Sequence, residues 1–293
     1  MAAKQLPLRD CVGLGWRREL AAGILRHLDR IDVVEVIADD LFNAARRERR
    51  ALQTLSAQVP VVLHGVSLGL ASAVQVEAKR LEQTARLCAE VQPAYWSEHL
   101  AFVRGGGIEI GHLTAPPRTA TTVEGAAKNL ARARAIVGSV PLVENIATLI
   151  DPPGSDRDEA TWVNEILAAS SSDMLLDLHN LYANATNFGF DPFEFLARIP
   201  PARIRAVHLA GGKRVQALGV SRVLDDHLHD VPAIVYELLT AVGARVPHPL
   251  TVVLERDGEY PAIEILLAQL DQARAALAAG RALQQRHLIQ EAA

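Results

Sequence analysis

Imidazoles and carboxylates recur at the ends of short apolar runs along this chain. The runs end in Leu63-His64-Gly65, Ser97-Glu98-His99, Val143-Glu144-Asn145, Leu176-Asp177-Leu178-His179-Asn180, Val207-His208-Leu209 and Leu254-Glu255-Arg256-Asp257. A further segment carries Asp225-Asp226-His227. Such groups are rarely buried unless they are paired or bound to metal. Several carboxylates converging on one place would repel each other. Divalent or trivalent cations resolve that repulsion and take imidazole and carboxylate as ligands. His64, His99, Glu144, Asp177, His208, Asp225, His227 and Glu255 are more ligands than one ion holds, so a cluster of two or three metals is expected. Glu144 and Glu255 have the two oxygens needed to bridge. Taken singly each position has a plainer reading: His64 as a satisfied core histidine, Glu144 as an ion-pair partner, Asp225-Asp226-His227 as a solvated loop. Their recurrence at the same end of successive runs is what points to metal. Ser97, Glu98 and Asn145 stand next to these groups and would orient them. His27, His248 and His287 read as surface residues, and His112 and His229 fit either description.

The elements that would position these groups alternate through the chain. Strands are expected at Cys11–Gly15, Val33–Ala38, Val61–Val66, Tyr95–Ala101, Pro141–Ile146, Met174–Leu178, Ile204–Leu209 and Thr251–Glu255. They are short and β-branched or leucine-rich, as strands covered on both faces are. Amphipathic helices are expected between them, among them Arg17–Leu28, Ala73–Val91, Thr122–Val137 and Val231–Val242. Asp191-Pro192 caps a helix through Ile199, and Ala262–Leu288 is helical. About eight β-then-α units fit an α/β fold of the (β/α)8 TIM-barrel type, as one domain over residues 1–293. In such a barrel, catalytic side chains project from the C-terminal ends of the strands. A doubly wound open sheet is the alternative. No glycine-rich phosphate loop opens a helix, since Gly105-Gly106-Gly107 lies between Arg104 and Ile108 and reads as a hairpin turn.

Composition narrows the class. The chain has 293 residues, 49% of them hydrophobic, enough for a large core and too many for a disordered or fibrous protein. Two cysteines, Cys11 and Cys88, exclude a disulfide framework or a thiolate-rich site and leave Fe, Mn or Zn. A net charge of −4 argues against a nucleic-acid partner. The N-terminus lacks the apolar stretch of a signal peptide. The apolar window Val59–Val74 is broken by Pro60, His64 and Gly69, so it reads as strand and loop rather than a membrane span. A cytoplasmic protein is expected.

Between Val33 and Ala273 the sequence resembles the UPF0276 (DUF692) family, the multinuclear non-heme iron-dependent oxidative enzymes. The resemblance rests on Val34-Glu35-Val36, Leu63-His64-Gly65-Val66-Ser67-Leu68, Ser97-Glu98-His99-Leu100-Ala101-Phe102, Leu142-Val143-Glu144-Asn145 and Asp177-Leu178-His179-Asn180-Leu181-Tyr182. It continues through Asn187-Phe188-Gly189-Phe190-Asp191-Pro192, Val207-His208-Leu209-Ala210-Gly211, Leu224-Asp225-Asp226-His227 and Leu254-Glu255-Arg256-Asp257. It implies a xylose-isomerase-like TIM barrel holding two or three iron ions in mixed Fe(II)/Fe(III) states, with O2 as cosubstrate. It also implies a ribosomally made precursor peptide as substrate, modified mostly at cysteine, and often a separate partner protein that presents the peptide's leader. The ligand set is similar to that of the trinuclear zinc site of endonuclease IV. By position, His64, His99 and Glu144 resemble the ligands of a first metal. Glu144, Asp177, His208 and Glu255 resemble those of a second, and Asn180, Asp225 and His227 those of a third. Three positions depart from the family pattern. His179 stands where the family usually has Asn, which makes it an extra ligand or a donor to a ligand. Gly212 stands where a second His often follows His-Leu-Ala-Gly. Arg256 stands where Trp follows the last Glu, and would bind a substrate carboxylate or pair with Asp257 or Asp39. A metal-dependent hydrolase or isomerase on the same barrel is the rival reading, and a non-catalytic metal-binding scaffold a third.

Overall fold

The computed structural model describes residues 3–217 and 219–291. Its strands in chain order are β1 (Cys11–Gly15), β2 (Val34–Ile37), β3 (Val61–Gly65), β4 (Trp96–His99), β5 (Phe102–Gly105), β6 (Ile108–Thr114), β7 (Leu142–Glu144), β8 (Met174–Asp177), β9 (Ile204–Leu209), β10 (Gly212–Ala217), β11 (Val220–Asp225) and β12 (Thr251–Leu254). The helices are α1 (Ala21–Arg26), α2 (Arg46–Ser56), α3 (Ala78–Val91), α4 (Ala120–Val137), α5 (Glu159–Ser170), α6 (Leu178–Phe188), α7 (Pro192–Arg198), α8 (Ala233–Arg245) and α9 (Ile263–Glu291). Eight strands run parallel and close in the order β1-β12-β9-β8-β7-β4-β3-β2. Helices ring them, which explains why the strands are buried on both faces and carry almost unbroken Val and Leu. The C-terminal α9 packs along α8 and completes the ring. No helix among the described residues is long and apolar enough to cross a membrane.

Register places the polar strand ends at one level. His64 pairs with Ser97, His99 with Glu144, and Asp177 with His208. Two antiparallel hairpins rise from this end of the barrel. The pair β5–β6 turns at the glycines 105–107, and β10–β11 pairs Gly212 with Asp225.

Several boundaries differ from the sequence expectation, each for a local reason. The segment expected as one helix over Arg17–Leu28 is a single 3-10 turn (Arg18–Leu20) followed by α1. Arg17 stays extended, with its guanidinium on Asp257. Helix α4 begins earlier than Thr122 because Thr119 is the cap, exchanging hydrogen bonds with Thr122. Asp225 is not on a loop but ends strand β11.

The helix expected from Ala73 begins only at Ala78. The loop before it is held by Asn129 of α4, whose amide donates to the carbonyls of Leu70, Ser72 and Val74 and accepts from Val76 N–H at 3.0 Å. Asn129 is buried and its two N–H hydrogens are shared among the three carbonyls, so removing it leaves the Leu70 carbonyl and Val76 N–H without this partner. Asn129→Ala is expected to cost about 2–4 kcal/mol in urea unfolding. A change below about 0.5 kcal/mol would show that the loop is held by other contacts.

Candidate metal centre

At the mouth of the barrel, β3, β4 and β7 bring His64, His99 and Glu144 together. His64 Nδ1 lies 2.8 Å from Ser97 Oγ, whose hydroxyl faces the Leu63 carbonyl. His99 Nδ1 lies 3.1 Å from the Gly65 carbonyl oxygen, which only accepts. Both rings are thereby turned with Nε2 toward Glu144, each at 3.4 Å from Oε2. That oxygen is buried and has no hydrogen-bond partner among the described residues. Two ligands bound about 2.1 Å from a tetrahedral ion stand ~3.4 Å apart, so the spacing suits a metal better than it suits a hydrogen bond.

A second group adjoins the first. Ligand atoms of Glu144, Asp177, His208 and Glu255 lie within 4.8 Å of one another, all on buried residues. His208 Nδ1 is 3.2 Å from both Glu144 Oε1 and Glu255 Oε2. Asp177 ends β8 and also caps α6, its Oδ1 accepting Asn180 N–H at 2.6 Å. Asn145 holds the Asp177 backbone through both its N–H and its carbonyl. Asp177 Oδ2 is left buried and unpaired.

The third group combines α6 with the β10–β11 hairpin. Asn180 Nδ2 donates to the Asn145 carbonyl, which fixes the amide orientation and leaves Oδ1 buried and without a partner. His227 follows Asp225 with φ +55, a conformation that Gly adopts more readily than other residues. Its ring is held at both nitrogens, 2.8 Å from Asp225 Oδ2 and 3.0 Å from Asp257 Oδ2. Arg17 Nε in turn donates to Asp257 Oδ1 at 2.8 Å. His179 Nδ1 lies 2.7 Å from the other oxygen of Asp225.

The charges in this pocket are strongly coupled. Burial raises the Asp177 carboxyl well above the usual range, and the neighbouring Asp225, Glu144 and Glu255 raise it further. Burial also opposes charge on Glu144 and Glu255, but His99 and His208 hold the first low, and His208 and His227 the second. His99 is disfavoured as a cation by burial, yet Glu144, Glu98 and Glu255 outweigh this and raise it to about 9. Without metal, imidazolium protons separate the carboxylates. A metal ion would take the place of those protons, and its affinity would rise with pH as they leave.

The structure therefore brings His64, His99, Glu144, Asp177, Asn180, His208, Asp225, His227 and Glu255 to one mouth. Ser97, Asn145 and His179 touch them. Arg256 is placed elsewhere than expected. Its guanidinium is buried against Asp230 and the carbonyls of Gly258 and Glu259. Neither Asp257, which takes Arg17 and His227, nor Asp39, which takes Val66 N–H and Ser67, is its partner. His287 is exposed, while His27 and His248 are half-buried. His229 pairs with Asp226, and His112 lines the cleft above the site. Sequence reasoning missed Glu35 as a site residue. Its carboxylate lies 2.9 Å from His208 Nε2, and with His64 and His208 it forms a further group that could hold metal. The available signal was a lone buried carboxylate inside the apolar strand Val33–Ala38.

A cleft of about 670 Å3 opens over the centre. Its walls include Phe102, Leu113, Ile146, Leu149 and Val223, with Glu144 and Asp225 at its floor, and among the described residues no Lys or Arg lines it.

Removing metal with a chelator is expected to lower the melting temperature and refilling to restore it. A ligand at one hundred times its Kd contributes about 2.7 kcal/mol. Ser97→Ala removes the acceptor that orients His64 and should weaken metal binding ~10–100-fold in a chelator competition. A melting curve indifferent to chelator would count against a metal centre here.

The chain was compared with known proteins. A family model described as RiPP precursor modification enzyme MbnB/TglH/ChrH, where RiPP denotes a ribosomally synthesised and post-translationally modified peptide, matches residues 11–278. A UPF0276 protein of Caulobacter vibrioides is 33% identical over 251 residues, covering 86% of this chain and 88% of that protein. One from Streptomyces avermitilis is 36% identical over 257 residues, covering 85% of this chain and 51% of that protein. Among solved structures, a xylose isomerase domain protein from Alicyclobacillus acidocaldarius superposes with a TM-score of 0.60 at 14% identity, over 94% of this chain and all of the other. An L-ribulose 3-epimerase gives 0.56 at 15% identity, over 97% of this chain and 98% of that one. These likenesses establish the xylose-isomerase-like barrel. With the family model spanning nearly the whole barrel, the chain belongs to the MbnB/TglH/ChrH family, whose UPF0276 relatives it matches over most of its length.

Proposed function

We propose that this chain is a multinuclear non-heme iron-dependent enzyme that uses O2 to modify a ribosomally synthesised precursor peptide, at cysteine residues. The observation that carries this reading is three buried oxygen acceptors without partners among the described residues, Glu144 Oε2, Asp177 Oδ2 and Asn180 Oδ1, at the mouth of a barrel in a family of precursor-modifying enzymes. His64, His99 and Glu144 would hold one iron. Glu144, Asp177, His208 and Glu255 would hold a second, and Asn180, Asp225 and His227 a third. The donor set is imidazole, carboxylate and amide oxygen, with no thiolate, which suits iron. Bound iron supplies the redox chemistry, with O2 as the oxidant.

The chain's own residues do the rest. Ser97, the Gly65 carbonyl, Glu35 and Asn145 fix the orientation of the ligands before metal arrives. The apolar walls of the cleft exclude water around the reacting residue and accept an uncharged stretch of peptide. A partner protein that presents the peptide's leader and a cytoplasmic location complete the proposal.

The test is anaerobic purification followed by metal analysis, Mössbauer spectroscopy and O2 uptake with short cysteine-containing precursor peptides encoded beside the gene. Two or three irons per chain and peptide-dependent O2 consumption are expected. The accompanying mass change should vanish when the peptide cysteine is replaced by serine. Stoichiometric zinc with no iron-dependent O2 uptake would overturn the oxidative reading and favour a hydrolase or isomerase.

A further inference from the structure

We propose that His179 is a positioning residue for the third metal subsite, acting by donating from Nδ1 to Asp225, and that Gly212 provides the space its ring needs. This rests on the ligand assignment above but not on iron, O2 or a peptide. His179 is the second residue of α6, two positions beyond Asp177 and next to Asn180. It is almost fully buried. A carboxylate only accepts, so the 2.7 Å contact to Asp225 Oδ1 puts the proton on Nδ1. The other edge of the ring lies over β10. A Cβ built on Gly212 would stand 2.6 Å from His179 Cε1, 2.9 Å from its Nε2 and 2.2 Å from the Leu224 carbonyl oxygen. The imidazole therefore fills volume that any larger residue at 212 would claim. Its Nε2 faces this backbone, while its Nδ1 is taken up by Asp225. His179 is thus a donor to a ligand rather than a ligand.

The contact has a consequence for the hairpin. Asp225 ends β11 and is paired with Gly212 across the ladder. Two turns further along α6, Asn187 holds the same strand by accepting Val223 N–H at 2.7 Å and donating to the Val223 carbonyl at 3.0 Å. His179 and Asn187 are eight residues apart and so lie on one helix face. Asn187 docks the hairpin by its backbone, whereas His179 holds one oxygen of Asp225, whose other oxygen lies 2.8 Å from His227 Nε2. The amide nitrogen of an asparagine stands at the same number of bonds from the backbone as His Nδ1. An asparagine at 179 would keep the donor and lose only the far half of the ring.

The experiment is a titration of the metal-free protein with Co(II), read by calorimetry and by the visible absorption of the bound ion, on the wild type, His179→Leu and His179→Asn. Leucine keeps the bulk and removes the donor. The expected result is three equivalents in the wild type, with the weakest lost or bound at least 10-fold less tightly in H179L and retained in H179N. The tighter equivalents should be unchanged in both variants. Wild-type saturation at two equivalents, an H179L titration like the wild type, or an H179N loss as large as that of H179L would each overturn the proposal. Loss of all equivalents in H179L with retention in H179N would overturn the restriction to the third subsite. Co(II) needs neither O2 nor substrate, so a failure of the oxidative reading leaves this result intact.

Discussion

The buried carboxylates of Glu35, Glu144, Asp177 and Glu255 share one mouth with the half-buried Asp225, and their mutual repulsion must be met by positive charge placed between them. His64, His99, His208 and His227 interleave with them. Glu144 stands at the centre of this arrangement. Its Oε1 meets His208, while its Oε2 meets two imidazole nitrogens at a distance that leaves room for an ion. Burial disfavours charge on His99, His208 and His227, but the carboxylates outweigh it and hold all three above the ordinary imidazole range. A metal ion would supply the same compensation.

Such a pocket must be held open against collapse, and the barrel does this with backbone. Each candidate ligand on a strand end is fixed by a neighbouring strand: Ser97 on β4 orients His64 on β3, and the Gly65 carbonyl on β3 orients His99 on β4. Asn145, just past β7, holds both Asp177 and Asn180 beyond β8. Ser97 and Gly65 stand within the β3–β4 ladder, and Asn145 follows directly on β7. Loss of register would scatter the ligands, so the geometry of the site and the cooperativity of the fold have one cause.

Much of this was legible in the residues. The alternation of apolar runs and amphipathic segments implies the barrel, and the position of each polar group at the end of its run implies a shared rim, since strand ends of a parallel barrel lie on one side. What was not legible depends on which elements face each other. Glu35 sits mid-strand with no periodic cue, and only closure of the barrel brings it under His208. The apolar residues of the β10–β11 hairpin are interrupted by Lys213, Arg214, Gln216, Gly219, Ser221 and Arg222, so it reads as loop. Arg256 follows a candidate ligand and looks available, but the turn after β12 folds its guanidinium onto Asp230. Gly212 and His179 lie more than thirty residues apart, and each looks like an isolated departure until the ring is seen over the glycine.

The third subsite also depends on both ends of the chain. Arg17 follows β1, Asp257 follows β12, and these strands are adjacent where the barrel closes. Arg17 bonds Asp257, Asp257 bonds His227, and His227 bonds Asp225, which His179 holds from the opposite side. The first and second groups are built from the ends of β3, β4, β7, β8, β9 and β12 and are buried in the barrel, whereas this one hangs between a hairpin and the closing seam. Its ligands reach it through side chains with their own partners rather than through strand register. An ion bound there would lie next to the cleft, which Asn180, Asp225 and His227 all line.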